Sequence, residues 1–205
     1  MKATISLKVH DLLIRTAETF PDRIAAIYDG RRMSFRQLDH ASDRFAKHLR
    51  DLNLPPNSRV AILFDNCLEY LPVFFGVFKA GLIAVPMDTS LRADALAQVL
   101  ADSEARVLVV QGKFRRKLAD LLKDNRQIAS VIADTSVPTG RDDLRPLLLN
   151  TIIGEPDDWS AGHTVGSQQE FVADSPLDMT DAGGTACPHE LAAMFYTSGS
   201  TGSCK

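Results

Sequence analysis

Residues 59–87 read RVAILFDNCLEYLPVFFGVFKAGLIAVPM. Two short apolar runs, 59–64 and 82–87, flank a longer apolar stretch that carries Pro72, Gly76 and Lys79. As a membrane span, Tyr70 to Met87 is marginal in length and holds a lysine near its middle. A buried strand, a helix and a second buried strand account for it better. Asn66 and Glu69 have the spacing of a capping box, which predicts a helix from there to about Ala80, with Gly81 as its C′ residue.

The alternation continues. Leu96, Val99 and Leu100 predict an inward helix face over 92–102, RVLVV (106–110) a strand, 113–124 a helix and IASVIA (128–133) a strand. Short strands that are apolar on both faces, with helices between them, require parallel pairing and right-handed crossovers. The expectation is an α/β fold with a layered parallel sheet. Such sheets bind ligands at the carboxyl ends of their strands.

Upstream, Val9, Leu12, Leu13, Ala17 and Phe20 fall at helical spacing, and Pro21 ends the run. RIAAIY and RMSF flank Asp29-Gly30, a hairpin signal because both turn residues must tolerate positive φ. Ser34 and Gln37 form a capping box for a helix that buries Leu38, Ala41, Phe45, Leu49 and Leu52. Downstream, residues 134–189 are acidic, rich in Gly, Ser, Pro and Thr, and poor in periodicity, with only PLLLNTII patterned for order. The expected division is an α/β subdomain over 1–133, an irregular region over 134–189, and a strand plus loop over 190–205.

Composition narrows the function. The chain has 205 residues, 23 basic and 26 acidic, for a formal charge of −3. That excess is the wrong sign for a nucleic-acid binder. The one basic cluster, Lys113 to Lys117, reads as a solvated helix face. Cys67, Cys187 and Cys204 are odd in number and widely spaced, which predicts no disulfide framework and a cytoplasmic location. Cys187, His189 and Cys204 match no common zinc spacing, so no metal ligand is assigned.

The last residues carry the chemistry. LAAMFY (191–196) predicts an apolar strand and TSGSTGSCK (197–205) a turn rich in glycine and hydroxyls. Glycines let backbone N–H groups converge on an anion, hydroxyls add donors and a lysine adds a mobile charge. The pattern fails as a Walker loop, because Cys204 stands where its second glycine belongs.

MFYTSGSTGSCK resembles the signature loop of the adenylate-forming superfamily: acyl- and aryl-CoA synthetases, firefly-type luciferases and peptide-synthetase adenylation domains. The family pattern is close to Y-T-S-G-S-T-G-x-P-K, matched at Tyr196, Thr197, Ser198, Gly199, Ser200, Thr201, Gly202 and Lys205. It departs at Cys204, where proline is usual and would stiffen the turn. HDLLIRTAETFPDRIAAI (10–27), MSFRQLDHASDRFAKHLRDL (33–52) and GVFKAGLIAVPMDTSLRADALAQVLADSEARVLV (76–109) are similar to earlier family segments, in the family's order.

The resemblance implies the N-terminal part of that fold and a reaction. A carboxylic acid attacks the α-phosphate of ATP with Mg²⁺, giving an acyl-adenylate and pyrophosphate; CoA or a carrier thiol then takes the acyl group. Thr197 to Gly202 would grip the β- and γ-phosphates, with Lys205 supporting. No catalytic residue is assigned. The family's acyl pocket, adenine segment and catalytic lysine follow this loop, so the chain reads as an N-terminal fragment, with no adenylate formation expected of residues 1–205 alone. PMDTSLRADAL favours a CoA ligase over a peptide-synthetase adenylation domain. The other reading is a non-catalytic remnant that associates through an exposed apolar surface.

Overall fold

A computed structural model describes residues 8–154 and 192–196. Helix α1 (Val9–Thr19) precedes a hairpin of β1 (Ile24–Tyr28) and β2 (Arg31–Ser34). Its turn is Asp29-Gly30, at φ of 49° and 73°, the left-handed pair that a two-residue hairpin needs. Helix α2 (Phe35–Asp51) opens on the predicted capping box: Ser34 accepts from the Gln37 N–H, and the Gln37 side chain accepts from the Ser34 N–H.

Five strands then form one parallel sheet: β3 (Arg59–Leu63), β4 (Ile83–Pro86), β5 (Val107–Val110), β6 (Ser130–Ala133) and β7 (Leu147–Leu148), in spatial order β4-β3-β5-β6-β7. The connecting helices are α3 (Tyr70–Lys79), α4 (Ala93–Ser103) and α5 (Arg115–Lys123), the last entered through a 3₁₀ turn at Gly112–Phe114. Helix α6 (Leu149–Ile153) follows β7.

The strands are apolar on both faces because both are covered. Val60, Ile62, Val107, Val109 and Ile132 pack with α2, α3 and α6 on one side. Ala61, Leu63, Leu108, Val110 and Val131 pack with α4 and α5 on the other. The period of two along each strand divides the two cores. Helix α3 lies on one face while α4 and α5 lie on the other, so the chain switches faces between β3 and β5. That switch opens a crevice at the carboxyl edge.

Helices α2 and α3 cross closely at Gly76. A Cβ there would stand 2.8 Å from Phe45 Cδ1 and 2.9 Å from the Ser42 carbonyl. Lys79, 5% exposed, ends α3 by donating to Asp39 at 2.6 Å and Asp43 at 2.7 Å on α2. Gly81, at φ 72°, occupies the predicted C′ position.

Two expectations change. The second capping box does not form: α3 starts at Tyr70, its N-cap is Glu69, and no side-chain cap bond is made. The Glu69 carboxylate is taken by Arg31 instead. A charge-assisted pair outcompetes a neutral cap. Also, residues 134–154, grouped by sequence with the irregular region, belong to the fold. They supply β7 and α6, and bury Val137, Leu144, Leu149 and Ile153. PLLLNTII is the ordered part, as its pattern predicts.

Candidate functional site at the carboxyl edge of the sheet

The loops leaving β3, β4, β5 and β6 meet at one edge of the sheet. They border a cavity of about 780 Å³, lined by Tyr28 and Arg31 from the hairpin, Phe64 to Cys67 and Glu69 after β3, and Thr89 after β4. Gln111, Lys113 and Asp134 line it from β5 and β6, and Leu149, Asn150, Ile153 and Gly154 close its far side. This is the crevice that the switch of faces creates.

Polar bonds tie the loops together. Asp65 is central: its carboxylate accepts from the Thr89 hydroxyl and from the Lys113 ammonium, and its N–H donates to Gln111 Oε1 at 3.2 Å. Three strands are thereby linked through one residue. Asp134 accepts from the Gly112 N–H at 2.6 Å. A Cβ at Gly112 would stand 2.3 Å from Thr135 Oγ1 and 3.0 Å from Asp134 Oδ1, so a side chain there would force those groups to shift.

On the hairpin side Arg31 donates to both carboxylate oxygens of Glu69, at 2.7 and 3.3 Å. Burial alone would raise the Glu69 carboxyl, but the Arg31 bonds outweigh it and hold the group below its ordinary value of 4.5. Arg31 is correspondingly raised, first through its bond to Glu69. The Cys67 thiol is pushed up to about 12 by burial and then by the Glu69 charge. A thiol in that state is not a nucleophile near neutral pH.

The chain reaches the same edge a second time. The Ala84 N–H donates to the Ala192 carbonyl at 3.0 Å and the Met194 N–H to the Ala84 carbonyl at 2.8 Å. Ala193 thus lies beside Ala84 in parallel register, outside β4. Met194 and Tyr196 pack against the core on the α4 and α5 side, and Ala193 against the other. Because the pairing is parallel, Tyr196 points the chain toward the carboxyl edge, next to the loop that leaves β4. The sequence-predicted site residues, Thr197, Ser198, Gly199, Ser200, Thr201, Gly202 and Lys205, lie outside the described residues. The strand expected over 191–196 is, among the described residues, a single parallel bridge at Ala193, and from it the chain runs to Tyr196 toward the edge where an α/β sheet binds its ligand.

A family model described as AMP-binding enzyme matches residues 13–205. The chain belongs to this family. The AMP-binding chain is 27% identical over 194 residues to tyrocidine synthase 2 of Brevibacillus parabrevis, which covers 95% of the chain and 4% of that protein. It is 29% identical, again over 194 residues, to phosphinothricin tripeptide synthetase PhsC of Streptomyces viridochromogenes, covering 95% of the chain and 14% of that protein. Among solved structures, the anthranilate CoA ligase AuaEII in complex with anthranoyl-AMP has a TM-score of 0.74 at 22% identity. It covers 100% of this chain, which spans 35% of the ligase. At that identity the likeness is one of fold. The chain therefore spans a small part of the curated relatives' length and about a third of that ligase's.

Several residues of this AMP-binding chain's edge escaped sequence reading. The cluster over 113–117 is only partly a solvated face. Lys113 pairs with Asp65, and Lys117 donates to the Leu91 carbonyl at 2.7 Å. Asp65 directly follows a predicted buried strand, and that position was the available signal. Among the described residues no group of three or more His, Cys, Asp or Glu converges as a metal site. No described ligand set for Mg²⁺ is assigned. Also among them, no helix is long and apolar enough to cross a membrane.

Proposed function

We propose that this chain is the phosphate-gripping N-terminal part of an ATP-dependent ligase that activates a carboxylic acid as its acyl-adenylate and passes it to a thiol. The observation that carries the reading is the parallel bridge of Ala193 to Ala84, after which the described chain runs to Tyr196 toward the carboxyl edge of the sheet, with TSGSTGSCK next in sequence. The family match supports it. Thr197 to Gly202 hold the β- and γ-phosphates through backbone N–H groups and hydroxyls, and Lys205 supplies charge to the departing pyrophosphate. Mg²⁺ would arrive with ATP and would supply neutralisation of phosphate charge.

The acceptor is CoA, the reading favoured by PMDTSLRADAL. A second reading, a carrier-bound pantetheine in a peptide synthetase, draws on the sequence matches to tyrocidine synthase 2 and PhsC. Carboxylate-dependent ATP–pyrophosphate exchange tests the activation step. Residues 1–205 alone are expected to show none, and a chain extended to the length of its ligase relatives is expected to show exchange that Lys205→Ala lowers. Exchange by residues 1–205 alone overturns the division of labour. Its absence from the longer product with every carboxylate tried overturns the function. Thioester formation with free CoA, rather than with a carrier protein, separates the two acceptors.

A further inference from the structure

Helices α1, α3 and α6 and both strands of the hairpin pack against α2. Arg44, on α2, donates to the Ile153 carbonyl and so holds the end of α6. The hairpin and α6 are in turn walls of the carboxyl-edge cavity. His48 lies one turn after Arg44 and is partly buried. Its Nε2 is closed to solvent and has no hydrogen-bond partner among the described residues. A neutral ring can leave that nitrogen as a bare acceptor. A protonated ring carries N–H groups on both nitrogens, and must bury a charged donor there with nothing to receive it, which costs far more.

No neighbouring charge relieves that cost. Asp51 favours the charged ring, but Lys47 already pairs with Asp51 at 2.7 Å and itself opposes charging. Helix α1 carries His10, Asp11, Arg15 and Glu18. The hairpin carries Tyr28, Arg31 and Arg32, α3 carries Tyr70 and Lys79, and α6 has no titratable side chain. Among the described residues, the charges that act on the ring are those of Asp51 and Lys47. Burial outweighs both and holds the imidazole below its ordinary value of 6.5.

We propose that His48 is a proton-sensitive latch: neutral, it lets α2 pack; charged, it loosens α2 and with it the α6 wall of the cavity. The sign follows from linkage. Below pH 6.5 the unfolded chain takes up the proton before the folded chain does, so stability is complete above that value and falls as pH drops from it toward the folded value. One proton taken up on opening lowers protection by up to about tenfold per pH unit inside this window. The window lies above that of Glu69, whose carboxyl titrates below 4.5.

The experiment compares the 205-residue chain with His48→Leu and His48→Gln, neither of which can take up the proton. The ring of His48 is titrated by NMR, its signal assigned by its loss in the variants. Amide protection in α2 and α6, corrected for the intrinsic pH dependence of exchange, is measured at several values between pH 7 and pH 5. The expected result is a titration midpoint below 6.5 and protection that falls with pH in the parent but stays nearly level in the variants. His48→Gln serves if His48→Leu fails to fold, and the titration of the parent needs neither variant to be stable. A ring that titrates at or above 6.5 overturns the inference. So does protection in α2 and α6 that is level in the parent, or that falls equally in parent and variants.

Discussion

Lys79→Met removes one charge from the joint between α2 and α3 and keeps most of the aliphatic stem. The side chain is 5% exposed, and its ammonium meets three acceptors: Asp39 Oδ1 at 2.6 Å, Asp43 Oδ1 at 2.7 Å and the Asp39 carbonyl at 3.1 Å. Breaking a buried pair by deleting one partner costs about 3–5 kcal/mol, most of it the penalty of the charge left behind. Here the abandoned carboxylates keep some water: Asp39 is 18% exposed and Asp43 59%. The cost should therefore fall to about 2–3 kcal/mol. With a urea dependence of about 2 kcal/mol per molar, the unfolding midpoint drops by roughly 1–1.5 M. Double-mutant cycles with Asp39→Asn and Asp43→Asn divide the effect. Coupling to Asp39 should exceed coupling to Asp43, which is solvent-screened and worth about 1 kcal/mol or less. Urea unfolding followed by circular dichroism reads all of these. A neutral Lys79→Met, or stronger coupling to Asp43 than to Asp39, would refute the claim that burial sets the value of this joint.

The close helix crossing makes a second prediction. Gly76→Ala gains about 1 kcal/mol of helix propensity, yet its Cβ meets Phe45 Cβ and the Ser42 carbonyl at 2.9 Å, both rigidly placed. Overpacking of about 2–3 kcal/mol should win, leaving a net loss of about 1–2 kcal/mol in thermal or urea unfolding; a stabilised variant would show that the helices separate freely. A third concerns acid. Glu69 has its folded carboxyl below the ordinary 4.5, so its contribution is present above that value and is lost as pH falls through the folded value. Glu69→Gln should cost on the order of 1 kcal/mol at neutral pH and should flatten the fall in stability as pH drops below the ordinary carboxyl value of 4.5. Parallel acid limbs in parent and variant would remove Glu69 from the account.

Periodicity and turn chemistry alone determined most elements. Asp29-Gly30 specifies its hairpin because few other pairs accept two positive φ angles in succession. Ser34 and Gln37 start α2 through bonds three residues apart. RVAIL and VLVV are strands because every residue after Arg59 in the first, and every residue in the second, is apolar and both faces must be covered. The signature at 196–205 is likewise legible as a string, since matching it needs only residue types in order. Local signals failed where a distant partner was stronger. Glu69 has capping spacing, and nothing near it in sequence announces that Arg31, 38 residues away, will claim its carboxylate. Residues 147–153 join the fold because an open edge on β6 needed a strand and the α2 side of the sheet needed cover, neither visible in so short a segment.

The site divides the same way. The residues proposed to hold phosphate were legible in the sequence, because the proposal rests on glycines, hydroxyls and a lysine set close together. Only the tertiary structure decided that the segment before them bridges to β4 in parallel at Ala193, and so runs toward the carboxyl edge of the sheet. It also decided that Asp65, Thr89 and Lys113, from three separate loops, meet there. Strand direction and contacts between loops are set by long-range pairing, and no local spacing encodes them.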